Sequence, residues 1–134
     1  MHSIGWKSYF SVGIANFDQH HNDAINSLNK IYIEFVNNAP TQDLAIMLNS
    51  LRENIENHAK LEETIMNSFE YPNIGIHKYS YNQFFKLFDK LYSNLKKGGA
   101  GFSLKMYATI SYSILSHILY EDSEMSEYII RQDN

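Results

Sequence analysis

The chain has 134 residues, a formal charge of −4 from 11 basic and 15 acidic side chains, and no cysteine. Its size fits one domain over 1–134 with room for a core, and a composition of 44% hydrophobic and 19% charged residues argues against disorder. The missing cysteines remove disulfides, zinc–thiolate sites, iron–sulfur clusters and thiol nucleophiles together. No basic stripe marks a nucleic-acid surface, and no run approaches the roughly 18 apolar residues of a membrane span.

The N-terminus lacks the basic start and apolar run of a signal peptide. With the cysteine-free composition, this predicts a cytoplasmic protein. Residues 1–16 hold Trp6, Tyr9, Phe10, Val12 and Ile14. They read as an extended arm whose aromatics plug one end of a helical domain.

Helical periodicity dominates from Phe17 onward. The first inward stripe is His21, Ile25, Leu28, Tyr32 and Phe35, stopped at Asn37-Asn38-Ala39-Pro40. Thr41 then reads as an N-cap, with Asp43 in the following turn. The second stripe is Leu44, Leu48, Leu51, Ile55, His58, Glu62, Ile65 and Phe69, broken by Tyr71-Pro72-Asn73-Ile74-Gly75. The third is His77, Tyr81, Phe84, Phe88, Leu91 and Leu95, followed by the linker Gly98-Gly99-Ala100-Gly101. Ser103 suits the cap of a fourth helix with Met106, Ile110, Ile114 and His117 inward. The spacing of Met125, Tyr128 and Ile129 predicts a short C-terminal helix, and Tyr92, Tyr107 and Tyr128 read as exposed aromatics. Four such patterns joined by short breaks predict an all-α, antiparallel up-down four-helix bundle.

The stripes place His21, His58, Glu62, His77 and His117 on the inward faces of four separate helices. Imidazoles and a carboxylate are costly in an apolar interior unless they are paired or hold metal. One such histidine is usually a satisfied core residue; one per helix, together with a glutamate, points to a metal site. His2 is terminal and His20 flanks the better-phased His21, so neither is counted in it. A mixed imidazole–carboxylate set leans towards iron or zinc. The Glu-x-x-His pairs of ferritin-like sites and the His-Glu-x-x-His zinc-protease motif are both absent. A histidine-rich site for two irons is the best remaining match.

These segments together resemble the hemerythrins, in particular the single-domain bacterial members. Trp6-Lys-Ser-Tyr9-Phe-Ser-Val12-Gly13-Ile14 is similar to their N-terminal arm, and Asp18-Gln19-His20-His21 with Asn29 to their first-helix motif. His58-Ala-Lys-Leu-Glu62-Glu63-Thr-Ile-Met66, followed by Tyr71-Pro72, resembles HFxxEExxM with Ala59 replacing the aromatic. His117 and Asp122 resemble the last-helix pair, five residues apart. The resemblance implies two irons joined by an oxo or hydroxo bridge. His21 and His58 would hold one iron and His77 and His117 the other, with Glu62 and Asp122 bridging. Helical spacing alone favours Glu121 over Asp122, because five residues rotate about 140° on a regular helix. The resemblance therefore requires a helix distorted or ending there.

Two departures stand out. Tyr81 occupies the second position of the family's His-x-x-x-His. It would bind iron as phenolate, leave a gap for water, or hydrogen-bond a bound oxygen species. Ser113 stands where the family often has tryptophan, while Ile114 still supplies an apolar wall to the ligand pocket. The resemblance implies a protein that binds O2, or another small diatomic or peroxide, without acting as a catalyst. The alternatives are a di-iron redox enzyme acting on peroxide or nitric oxide, and an iron store or sensor.

Overall fold

The computed structural model describes residues 15–96 and 101–133. Most of the expected N-terminal arm and of the glycine linker lies outside them, and Ala15 and Asn16, expected in the arm, open α1. The described elements are α1 (Ala15–Val36), α2 (Thr41–Ser68), α3 (Ile74–Lys96) and α4 (Leu104–Ser116). A π-helical segment, His117–Asp122, then leads into α5 (Ser123–Asp133) without a break. Successive helices pack as neighbours, α1 on α2, α2 on α3 and α3 on α4. Helical stripes at a 3.6-residue period bury one face each, and short turns force antiparallel neighbours, so the architecture is the expected four-helix bundle. The predicted C-terminal helix is present as the continuation of the fourth.

The two tight turns are closed by residues in the left-handed region, Asn38 (φ 63°) and Glu70 (φ 53°). Each lets backbone N–H groups beyond the helix reach its last carbonyls: Ala39 donates to Glu34, and Tyr71 to Met66, both at 2.9 Å. Thr41 is not the cap of α2. Pro40 takes that position in extended backbone, with no side-chain bond, and its carbonyl accepts from Asp43 and Leu44. The ring fixes φ and so starts the helix without a hydroxyl. Ser103 does cap α4, its hydroxyl accepting from the Met106 N–H at 3.1 Å.

The apolar interior falls into two clusters. The larger is built on Ile25, Leu28, Leu48, Leu51, Phe88, Tyr107 and Ile110; the smaller holds Phe17, Met66, Tyr71, Met125 and Ile129. Along each helix the polar inward residues fall between them: His21 lies between Phe17 and Ile25, and Glu62 between Leu51 and Met66. The bundle thus carries one polar layer with apolar packing on both sides. Ile31 and Met66 are buried where Tyr32 and Ile65 were expected, and Tyr107, read from sequence as exposed, is buried against Tyr32.

Candidate metal centre

His58 and Glu62 are four residues apart on α2 and so share a face. His58 Nε2 meets Glu62 Oε1, and the other oxygen of Glu62 meets His77 Nε2 from α3. His21 Nε2, from α1, lies 2.8 Å from Asp122 Oδ2. The second oxygen of Asp122 is 2.8 Å from His117 Nε2 and 3.1 Å from His77 Nε2. Every histidine therefore presents Nε2, and each carboxylate spreads its two oxygens over two sides. His21, His58, Glu62, His77, His117 and Asp122 are all buried.

Asp122 reaches this position because the backbone from His117 is π-helical. An i→i+5 turn returns the fifth residue to the face of the first. Ser123 supports the widened turn, donating its hydroxyl to the Ile118 carbonyl at 3.2 Å. Glu121, the candidate favoured by regular helical spacing, lies behind the cluster. Its carboxylate is 3.1 Å from His117 Nδ1, on the side of the ring away from Glu62 and Asp122.

Two groups of ligand atoms lie within 4.8 Å of one another: His21, His58, Glu62 and Asp122, and Glu62, His77, His117 and Asp122. Glu62 and Asp122 belong to both. His58 Nε2, Glu62 Oε1, His117 Nε2 and Asp122 Oδ1 are buried at contact distance from their neighbours, yet none makes a well-aligned hydrogen bond. Lone pairs aimed at a shared centre rather than at each other suit cations. Nitrogen and carboxylate oxygen donors without thiolate fit iron or zinc, as expected of mixed-hardness sets.

Without an ion, the layer balances its own charge. Burial opposes protonation of His58, but hydrogen bonds to Asp122 and Glu62 prevail and hold its pKa up to about 9. His77 and His117 are raised in the same way. Burial would raise the Asp122 carboxyl, but the charge of His117 outweighs it and holds the group well below its ordinary range.

Tyr81 stands beside the cluster, its ring centroid 4.1 Å from that of His117 and 5.5 Å from that of His77. Its hydroxyl is buried beside the Glu62 carboxylate, without a well-aligned hydrogen bond. Burial, and then the charges of Asp122 and Glu62, push its pKa well above the usual phenol value. Tyr81 also borders a small cavity of about 330 Å³ between α2 and α3, together with Ala59. A cavity of about 950 Å³ reaches the cluster itself, and Ile114 and Ile118 form part of its apolar wall.

Two residues stand behind the histidines, a role that sequence reasoning gave to neither. His20 Nδ1 lies 2.6 Å from His58 Nδ1, and Glu121 holds His117 as described. A histidine that binds an ion through Nε2 carries its proton on Nδ1, and a partner there fixes the ring. The doublet His20-His21 was the available signal for the first. For Glu121 it was the four-residue step from His117.

A four-helix bundle with this layer defines a metal-binding helical protein. The family model for the hemerythrin HHE cation-binding domain matches residues 12–129. The chain belongs to that family, and the buried cluster could hold metal ions. A solved structure described as a leucine-to-phenylalanine mutant has the same fold, with a TM-score of 0.86 and 18% identity over 96% of this chain and 98% of the other. No curated protein matches the chain in sequence.

Proposed function

We propose that the protein is a non-heme di-iron protein that binds O2, for storage or sensing. The observation that carries the reading is the pair of ligand groups sharing Glu62 and Asp122. In this reading His21 and His58 would hold one ion and His77 and His117 the other, with Glu62 and Asp122 available to both. Iron held there would supply reversible O2 binding. The chain's part is to fix and shield it. His20 and Glu121 orient two of the imidazoles, the carboxylates offset part of the cationic charge, and Ile114 and Ile118 give the cavity beside the layer an apolar wall. No helix among the described residues is long and apolar enough to cross a membrane. That and the cysteine-free composition support the cytoplasm as its place.

The test is metal content together with optical spectra. Two irons per chain are expected. The anaerobically reduced protein should gain a visible band on exposure to O2 and lose it when the gas is removed. One ion per chain, or immediate irreversible oxidation, overturns the reading.

Tyr81 favours a second reading, redox turnover of peroxide or nitric oxide. A phenol buried beside the layer without a well-aligned hydrogen bond could bind iron as phenolate and favour its oxidised state. Repeated turnover with a supplied reductant supports this reading; reaction in a single stoichiometric round counts against it.

A further inference from the structure

The formal charge of −4 hides a segregation along the chain. From Ile74 to Ser116, the stretch that holds α3 and α4, the sequence has six lysines, no arginine and one acidic residue. That is a charge of +5, so the rest of the chain carries −9. The one acid, Asp89, is already held by Arg52 of α2, and Lys78 is tied to Glu63 of α2. Lys86, Lys90 and Lys105 are exposed and form no ion pair among the described residues.

These lysines share their helix faces with aromatic side chains. Ile76, Tyr79, Gln83, Lys86 and Lys90 step by three or four residues, so they line one side of α3, opposite the buried His77, Tyr81, Phe84 and Phe88. Lys105 and Tyr112, two turns apart, line α4 opposite the buried Tyr107, Ile110 and Ile114. The two helices are neighbours, and Ser80 Oγ lies 3.5 Å from His117 Nδ1. From that level α3 runs on to Lys90 and α4 runs back to Lys105, so both lysines reach the same end of the face. Tyr79 stays at the other end. Among the described residues the four most exposed large apolar side chains are Tyr112, Tyr120, Tyr79 and Ile76, at 75, 70, 65 and 64%. All four belong to α3, α4 or the π segment that continues α4. Exposed apolar side chains gathered in one region mark a contact surface.

Charge alone would suit nucleic acid, an acidic protein or an anionic lipid surface, and the residue types decide between them. Protein interfaces favour arginine and are poor in lysine, and bidentate reading of phosphate or base edges is arginine's task. Lysine is a point charge on a flexible stem, suited to a diffuse field of negative headgroups. Tyrosine, with an apolar ring and a polar tip, is a side chain of the membrane–water interface. We propose that the outer face of α3 and α4 docks on an anionic lipid surface, with Lys86, Lys90 and Lys105 at the headgroup charges and Tyr79 and Tyr112 between the headgroups. Glu121, Glu124 and Glu127 follow at the tyrosine end, more than about 20 Å along the helix from Lys105, beyond the roughly 8 Å over which charges act at physiological salt. The contact lies on the membrane and does not span it, as no helix among the described residues is long and apolar enough to cross one. It goes beyond O2 binding and does not rest on it, since none of its residues belongs to the metal layer.

The test is co-sedimentation of the full, metal-loaded chain with vesicles of phosphatidylglycerol and phosphatidylcholine in equal parts, beside vesicles of phosphatidylcholine alone. Binding to the mixed vesicles is expected at about 0.05 M salt and should be lost at about 0.5 M, where screening is strong. Lys86→Gln and Lys90→Gln should each weaken it by about 5-fold, the value of one lysine at such a surface. The two combined with Lys105→Gln should weaken it by about 100-fold. Tyr112→Ala should weaken it by about 3- to 10-fold through lost apolar contact. Lys30→Gln is the control, because Lys30 is an exposed lysine of α1; binding should be unchanged. All these positions are on the surface, so the variants will fold. Equal binding to phosphatidylcholine vesicles overturns the proposal, as does no binding to the mixed ones or equal weakening by Lys30→Gln and Lys90→Gln. Binding of soluble polyglutamate or double-stranded DNA without binding of vesicles also overturns it, and assigns the face to an acidic protein or to nucleic acid.

Discussion

His117 Nε2 lies 2.8 Å from Asp122 Oδ1 although five residues separate them, because the helix between is wound as a π segment. The same winding sends Glu121 to the opposite nitrogen of His117, 3.1 Å away. One local change in helical pitch thus assigns two neighbouring carboxylates to different tasks. Asp122 faces the metal layer, and Glu121 holds the ring that faces it.

That division predicts two unlike outcomes. Asp122→Asn removes a charge shared by both ligand groups, and the protein should fail to retain two ions. Glu121→Gln keeps a group able to accept from His117 Nδ1, so both ions should remain bound. Glu121→Ala should lower metal affinity by about 10- to 100-fold, the usual cost of losing a partner behind a ligand. Metal content after dialysis against a graded chelator distinguishes the three.

His20 should behave like Glu121 on the other side of the layer. When His58 binds through Nε2, its Nδ1–H donates to His20 Nδ1 at 2.6 Å. His20→Ala should weaken metal binding by about 10- to 100-fold, and His20→Gln should restore much of it by offering an acceptor at similar reach. Chelator competition reads both. An unchanged affinity in His20→Ala would show that packing against Phe17 is enough to hold the His58 ring.

Most of the bundle was legible because burial follows the 3.6-residue period, and His21, His58, Glu62, His77 and His117 sit on that period. Asp122 does not. No residue in His117–Asp122 announces a π turn, so periodicity pointed to Glu121, and only the family pattern pointed to Asp122. Tyr107 was recoverable: it is three residues before Ile110 and seven before Ile114, as inward as Met106. His20 escaped because its contact runs sideways to the outer nitrogen of His58, whereas a stripe reports only what points at the core.

Metal uptake should depend on pH in a direction fixed by the histidines. His58 is held up to about 9, with His77 and His117 also raised, and an ion binds only the neutral imidazole. Loading must therefore release protons, and affinity should climb as pH rises from about 6.5 towards 9. The metal-free protein should show the opposite trend. A raised histidine stabilises the fold fully below its ordinary value of 6.5 and loses that contribution as pH rises through about 9. Asp122, held low, stabilises above its ordinary 3.8 and loses that contribution as pH falls further. Thermal melts of the metal-free protein should peak between these limits, and the maximum for the metal-loaded protein should lie at higher pH.

Stability away from the layer should rest on the larger apolar cluster. Phe88 is 1% exposed and packs among Phe84, Tyr92 and the α1 and α4 side chains of that cluster. Phe88→Ala should cost about 3–5 kcal/mol, measured by denaturant unfolding of the metal-free protein. Ile33→Ala, at a position 47% exposed, should cost less than about 0.5 kcal/mol.

Tyr81 is the residue whose substitution tells the functional readings apart. Its ring lies against His117 and its hydroxyl is buried beside Glu62 without a well-aligned hydrogen bond, so removing the oxygen breaks no well-formed bond. Tyr81→Phe should therefore fold at least as stably as the parent and keep both ions. If the phenol binds iron, the ferric parent should show a visible phenolate-to-iron charge-transfer band that Tyr81→Phe lacks. Tyr81→His should then shift the spectrum towards that of family members with histidine at this position. If the hydroxyl instead only donates to a bound ligand, neither ferric spectrum should change, and Tyr81→Phe should release O2 faster than the parent, because one hydrogen bond of about 1 kcal/mol is lost. Identical spectra and identical release rates in both variants would remove Tyr81 from the site's chemistry.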